Sequence, residues 1–151
     1  MRFLPWLALL FLAGCTSGSE RWAEARFEGI SYPSLYGVVL STFDAEGYAV
    51  RERDPSAATL ESDWVYGTSM RMVRGPSRRR AHAEIKSVRE NMWLVRVRVE
   101  EEVVRKGGML ATNVRESENW EAFDDNFDDA EYLMAKIAAL LDAHRARATA
   151  P

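Results

Sequence analysis

Few side chains in this chain could do covalent or metal chemistry. There is one cysteine, Cys15, at the end of an apolar stretch and directly after Ala13-Gly14, and there are two histidines, His82 and His144. A single thiol forms no internal disulfide and no paired-cysteine zinc site. The histidines lie far apart, in no ligand-spaced pattern, and His144 suits the last turn of a helix, where the backbone dipole favours a cation. Asp124, Asn126 and Asp128 occupy the first, third and fifth places of a calcium-loop pattern. The required glycine is replaced by Asp129 and the bidentate glutamate by Ala135, so an acidic helix start accounts for them better. No Gly-rich phosphate loop, Ser-His-Asp arrangement or paired-carboxylate motif occurs. The expectation is a protein that is not an enzyme and that holds no metal and no cofactor.

The remaining candidates are contact residues. Arg71, Arg74, Arg78, Arg79 and Arg80 cluster around Gly75-Pro76. The plain reading is a solvated hairpin loop. The sharper one is contact with anionic lipid headgroups or an acidic partner, where each basic side chain adds ~1 kcal/mol. Trp64 and Trp93 alternate with polar neighbours and are expected in the core. Trp120 stands in a polar stretch and is the expected exposed contact.

The N-terminus carries the most specific signal. Arg2 is followed by Phe3 to Leu12, apolar apart from Pro5, a run too short for a bilayer-spanning helix and typical of an export signal. Leu12-Ala13-Gly14-Cys15 resembles the bacterial lipoprotein signal. That resemblance implies cleavage between Gly14 and Cys15 and a diacylglycerol joined to the Cys15 sulfur. Thr16 follows where an aspartate would imply retention in the inner membrane, so the resemblance implies the periplasmic face of the outer membrane. Residues 1–14 are then a signal peptide, 15–24 a lipidated tether, 25–147 one domain and 148–151 a tail. The full chain has a formal charge of −3, and loss of Arg2 makes the mature form −4. Mild acidity and an extracytoplasmic address argue against nucleic acid as partner.

Periodicity supplies the elements. Phe27, Ile30 and Tyr32 suggest a first strand ending at Pro33, with Ser34 as N-cap of the next helix. Leu35, Val38, Val39, Thr42 and Phe43 form one helical stripe, and Gly47 ends it. Tyr48 to Arg53 alternates as a strand, and Asp54-Pro55-Ser56 is turn chemistry. Thr59 to Tyr66 predicts one strand with Leu60, Ser62, Trp64 and Tyr66 on a common face. Arg78 to Val88 and Trp93 to Val104 predict a hairpin, with His82, Glu84 and Lys86 facing Arg96, Arg98 and Glu100 on the outer face. Phe127, Ala130, Leu133, Met134, Ile137, Leu140 and Leu141 form the stripe of a C-terminal helix beginning between Trp120 and Phe127. The expectation is α+β, a two-layer sandwich of antiparallel sheet with two helices on one face, in the order β-α-β-β-β-β-α.

This layout resembles the helix-grip domains of BamC, an accessory lipoprotein of the outer-membrane β-barrel assembly machine. The likeness rests on Ile30 to Gly47, on Tyr48 to Asp54, on Leu60-Glu61-Ser62-Asp63-Trp64, and on the C-terminal helix with Glu131, Leu133 and Ile137. BamC carries two such domains and a long irregular N-terminal segment, whereas this sequence has room for one domain and a brief tether. The resemblance implies a lipid-anchored, non-catalytic module that binds an envelope protein. The alternative is a small carrier holding an apolar ligand between helices and sheet.

Overall fold

The computed structural model describes residues 20–68, 76–104 and 120–148. The expected signal peptide, Cys15, Arg71 and Arg74 lie outside the described residues. Strand β1 spans Ala23–Glu28, so regular structure starts two residues inside the expected tether.

Helix α1 spans Tyr32–Ala45 and is capped by Ser31, not Ser34: the Ser31 Oγ accepts from the Ser34 backbone N–H at 3.4 Å. Pro33 therefore sits inside the first turn instead of ending a strand, which its missing N–H permits. The helix stops as expected at Gly47, which adopts φ +84°. There the Tyr48 N–H reaches the Phe43 carbonyl at 2.8 Å and the Gly47 N–H the Asp44 carbonyl at 3.2 Å, a Schellman ending.

Strand β2 (Val50–Asp54) closes on the predicted turn, where Asp54 Oδ1 accepts from the Ser56 and Ala57 N–H groups, each at 2.9 Å. The single strand expected over Thr59 to Tyr66 is two, β3 (Thr59–Ser62) and β4 (Val65–Thr68). Ser62 causes the break: its buried hydroxyl donates to the Asp63 carbonyl at 2.9 Å and accepts the Ala81 N–H at 3.0 Å, replacing a ladder carbonyl. The alternation slips by one residue. Leu60 and Ser62 face the core, while Val65 is the inward residue of β4 and Tyr66 stands opposite outward Arg78. Trp64 accordingly leaves the face on which the pattern placed it.

Strands β5 (Pro76–Arg89) and β6 (Met92–Val104) form the expected hairpin, turning at Asn91 with φ +56°. A short strand β7 (Trp120–Ala122), absent from the sequence reading, pairs with the far end of β6. Helix α2 (Phe127–Ala148) follows, with the Asn126 Oδ1 accepting the Asp129 N–H at 3.2 Å as its N-cap. The observed order is β-α-β-β-β-β-β-β-α. All pairings are antiparallel, in the order β1-β6-β5-β3-β2, with β4 beside β5 and β7 beside β6.

Both helices cover one face. Leu35, Val39 and Phe43 of α1 and Ala130, Leu133, Ile137 and Leu141 of α2 meet Ala81, Ala83, Ile85, Val95, Val97 and Val99 of the hairpin, all buried. Leu140, expected in the stripe, is 46 % exposed, because it lies on the outer flank of the helix. Trp93 is half-buried at the core edge, its indole N–H donating to the Ile30 carbonyl at 2.9 Å. Among the described residues no helix is long and apolar enough to cross a membrane.

Candidate partner-binding face

The hairpin's outward residues build the sheet face away from the helices. Strict alternation places Arg78, Arg80, His82, Glu84 and Lys86 on β5 beside Glu102, Glu100, Arg98, Arg96 and Leu94 on β6. The expected cross-strand rows therefore form, with Arg96 3.4 Å from Glu84, and Arg80 2.8 Å from Glu100. Arg80 also reaches Glu61 of β3 at 2.6 Å. His82 lies between two carboxylates, its Nδ1 3.3 Å from Glu61 and its Nε2 3.3 Å from Glu100. The hydrogen bond from His82, reinforced by Arg80, holds the Glu100 carboxyl at about 2, far below its ordinary 4.5, against the opposing effect of partial burial. Arg98 grips the buried Asp125 through Nε at 2.7 Å and Nη2 at 3.1 Å, and the Arg21 N–H adds a donor at 2.8 Å. A bidentate fork of this kind fixes geometry as well as charge. It ties the segment before α2, and the start of the domain, to the outer face.

At one end of this face aromatic rings join the charges. The Arg78 guanidinium lies 4.4 Å from the Trp64 ring centre and 4.5 Å from that of Trp120, and Arg80 lies 4.6 Å from Trp64 on the same face. Tyr66 meets Trp120 edge-on with ring centres 5.9 Å apart. Arg78 also donates to Glu102 at 2.7 Å. Two indoles around one guanidinium make a rigid plate in which the cation is largely satisfied from within. Toward the other side of the sheet lies a cleft of about 610 Å3, lined chiefly by Trp22, Arg53, Asp54, Glu61, His82 and Glu84.

The arginine cluster read from the sequence thus divides. Arg78 and Arg80 share the outer face with Trp120, but Arg79 projects to the helix side and pairs with Asp129 of α2. There Tyr48 donates to the same carboxylate at 3.3 Å, and burial with the nearby negative charge raises its phenol. Glu101, 1 % exposed, accepts from the Asn126 side chain at 3.3 Å in this seam. Arg78, Arg79 and Arg80 form no open basic patch, because each is paired with a carboxylate. No protein-family model matches the chain, and no curated protein matches it significantly.

The fold also gathers residues that the sequence reading did not group: Trp64 with Arg78 and Arg80, and Asp125 with Arg98. The hairpin alternation contained the second half of each pair. The phase slip after Ser62 and the non-helical stretch ahead of α2 hid the first. Among the described residues no group of three or more His, Cys, Asp or Glu side chains could hold a metal ion.

Proposed function

We propose that this protein is an envelope lipoprotein, held at the periplasmic face of the outer membrane by lipid on Cys15. Its domain acts as a non-catalytic binding module of the BamC-like helix-grip kind, accessory to outer-membrane protein assembly. One observation carries the binding part of this reading. The sheet's outer face has no second layer over it among the described residues, and it presents the Trp64–Arg78–Trp120 plate and the cleft beside His82. The interior is filled by side chains with essentially no exposure; at the helix–sheet seam the pocket beside Tyr48 and Arg79 has only about 180 Å3, and the larger apolar groove of about 400 Å3 beside Phe127 and Met134 lies open to solvent and encloses nothing. A carrier needs a chamber of several hundred cubic ångströms, so the packing supports a binding module over an apolar-ligand carrier.

The test combines anchor and face. A photo-crosslinking residue at Thr59, on the cleft, is expected to capture a discrete envelope protein in intact cells, identified by mass spectrometry. The same group at Asp142, on the exposed side of α2, should capture little. Equal capture at both positions, or none at Thr59, refutes the assignment of the face. Cys15→Ser should release the protein from membranes. Native protein without acyl mass refutes the anchor.

A further inference from the structure

We propose that the protein pairs with a second copy of itself through β1, extending the sheet across a two-fold axis at Ala25. Strand β1 is the end of the strand order, partnered only by β6 among the described residues. The direction of its backbone is set at its end. The Gly29 N–H donates to Asn91 in the β5–β6 turn at 2.9 Å, while the Glu28 carbonyl takes the Arg145 guanidinium from α2. Because antiparallel strands alternate the side on which both backbone groups point, the odd-numbered residues of β1 address β6 and the even-numbered ones face outward. Glu24 and Arg26 therefore offer their N–H and carbonyl groups to whatever lies beside the edge.

Charge selects the occupant and the register. Glu24 and Arg26 are both exposed on the outer face, and Arg26 has no ion-pair partner among the described residues, whereas Glu24 is 2.7 Å from Arg96. Centring an antiparallel pair on Ala25 sets Glu24 of each copy against Arg26 of the other, twice, in hydrogen-bonded pairs. Centring it on Arg26 sets Arg26 against Arg26 and Glu24 against Glu28. Centring it on Glu24 sets Glu24 against Glu24. Centring it on Phe27 sets Arg26 against Glu28, whose carbonyl Arg145 already holds. Like charges directly opposite are destabilising, so the Ala25 register is the complementary one within β1 whose backbone groups stay open. On the helix side the same seam holds an apolar groove of about 400 Å3, lined by Trp22, Phe127, Met134, Ala135 and Ala138 together with Glu131. A second α2 entering beside the first would cover it, and the small Ala135 and Ala138 leave room for its approach.

The register is tested by cysteine scanning in the full chain, extracted in mild detergent. Ala25 is a non-hydrogen-bonded pair in this arrangement, with Cα atoms about 4.5 Å apart, within the span a disulfide closes. Ala25→Cys should give a covalent dimer on a non-reducing gel beyond any formed by the unsubstituted chain, whose sole cysteine is Cys15. Arg26→Cys, facing Glu24 of the other copy, should not. In light scattering, Arg26→Glu should weaken dimerisation about tenfold by turning two attractive pairs repulsive. Glu24→Arg combined with Arg26→Glu should restore it. Circular dichroism melts matching the unsubstituted chain establish that the exposed substitutions leave the fold intact. A monomeric mass at every loading concentration overturns the proposal, as does equal crosslinking at positions 25 and 26.

Discussion

Removing the Glu100 charge should destabilise the fold near neutral pH and have almost no effect in strong acid. Glu100 sits in the middle of the outer face, its side chain 22 % exposed, accepting from Arg80 at 2.8 Å and lying 3.3 Å from His82. Its carboxyl is depressed from 4.5 to about 2. A group whose folded value lies below its unfolded one contributes stability above the unfolded value and loses it as pH falls through the folded one. Here that window runs from about 4.5 down to about 2. The full shift corresponds to about 3 kcal/mol. Solvent still reaches part of this carboxylate, so screening reduces the expected contribution to about 1–2 kcal/mol. Glu100→Gln keeps shape and one acceptor while removing the charge, and should lower the unfolding free energy by that amount in urea titrations near neutral pH. The deficit should shrink as the buffer is taken below about 4.5, because the unsubstituted carboxyl then becomes neutral too. A deficit that stays constant down to about pH 2.5 would refute the linkage and reduce Glu100 to a packing residue.

Three further outcomes follow from packing, backbone and stacking. Ile137→Ala empties a fully buried site and should cost about 2–5 kcal/mol by chemical denaturation, whereas Leu140→Ala on the exposed flank of the same helix should stay within about 0.5 kcal/mol. Comparable losses would mean that α2 packs in another rotation. Gly47→Ala meets no atom within 4 Å of the added carbon, so its cost is the strain of φ +84° alone, about 1 kcal/mol, seen as a lowered thermal midpoint. Arg78→Ala leaves Glu102 without its 2.7 Å donor and removes the cation between two indoles, costing about 1–2 kcal/mol and altering tryptophan emission. Arg78→Lys should recover only part of both, since an ammonium cannot lie flat between the rings.

Much of the fold was legible because burial on one side forces a period. The alternation from Trp93 to Val104 determined an antiparallel strand with one wet face, and the hairpin with β5 followed from the few residues between them. The α1 stripe and the stop at Gly47 were equally determined, since only a left-handed residue completes that ending. The stripe of α2 was right except for Leu140, where the arc is wide enough that one flank residue lies outside the contact.

What tertiary structure alone decided are the places where a long-range partner outbids the local pattern. The Ser62 hydroxyl accepts the Ala81 N–H from another strand, and that bond accompanies the change of phase up to Thr68. Trp64, apolar and correctly spaced for the core, is thereby turned outward onto Arg78 and Arg80. Strand β7 forms by pairing with the far end of β6, a long-range contact no local residue type announces. Adjacent Arg78, Arg79 and Arg80 read as one patch along the chain, yet a strand sends neighbours to opposite faces, and each arginine meets a different carboxylate. Sequence determines periods and stops, which depend on near neighbours. Pairing across the sheet decides phase and partners, which depend on residues tens of positions away.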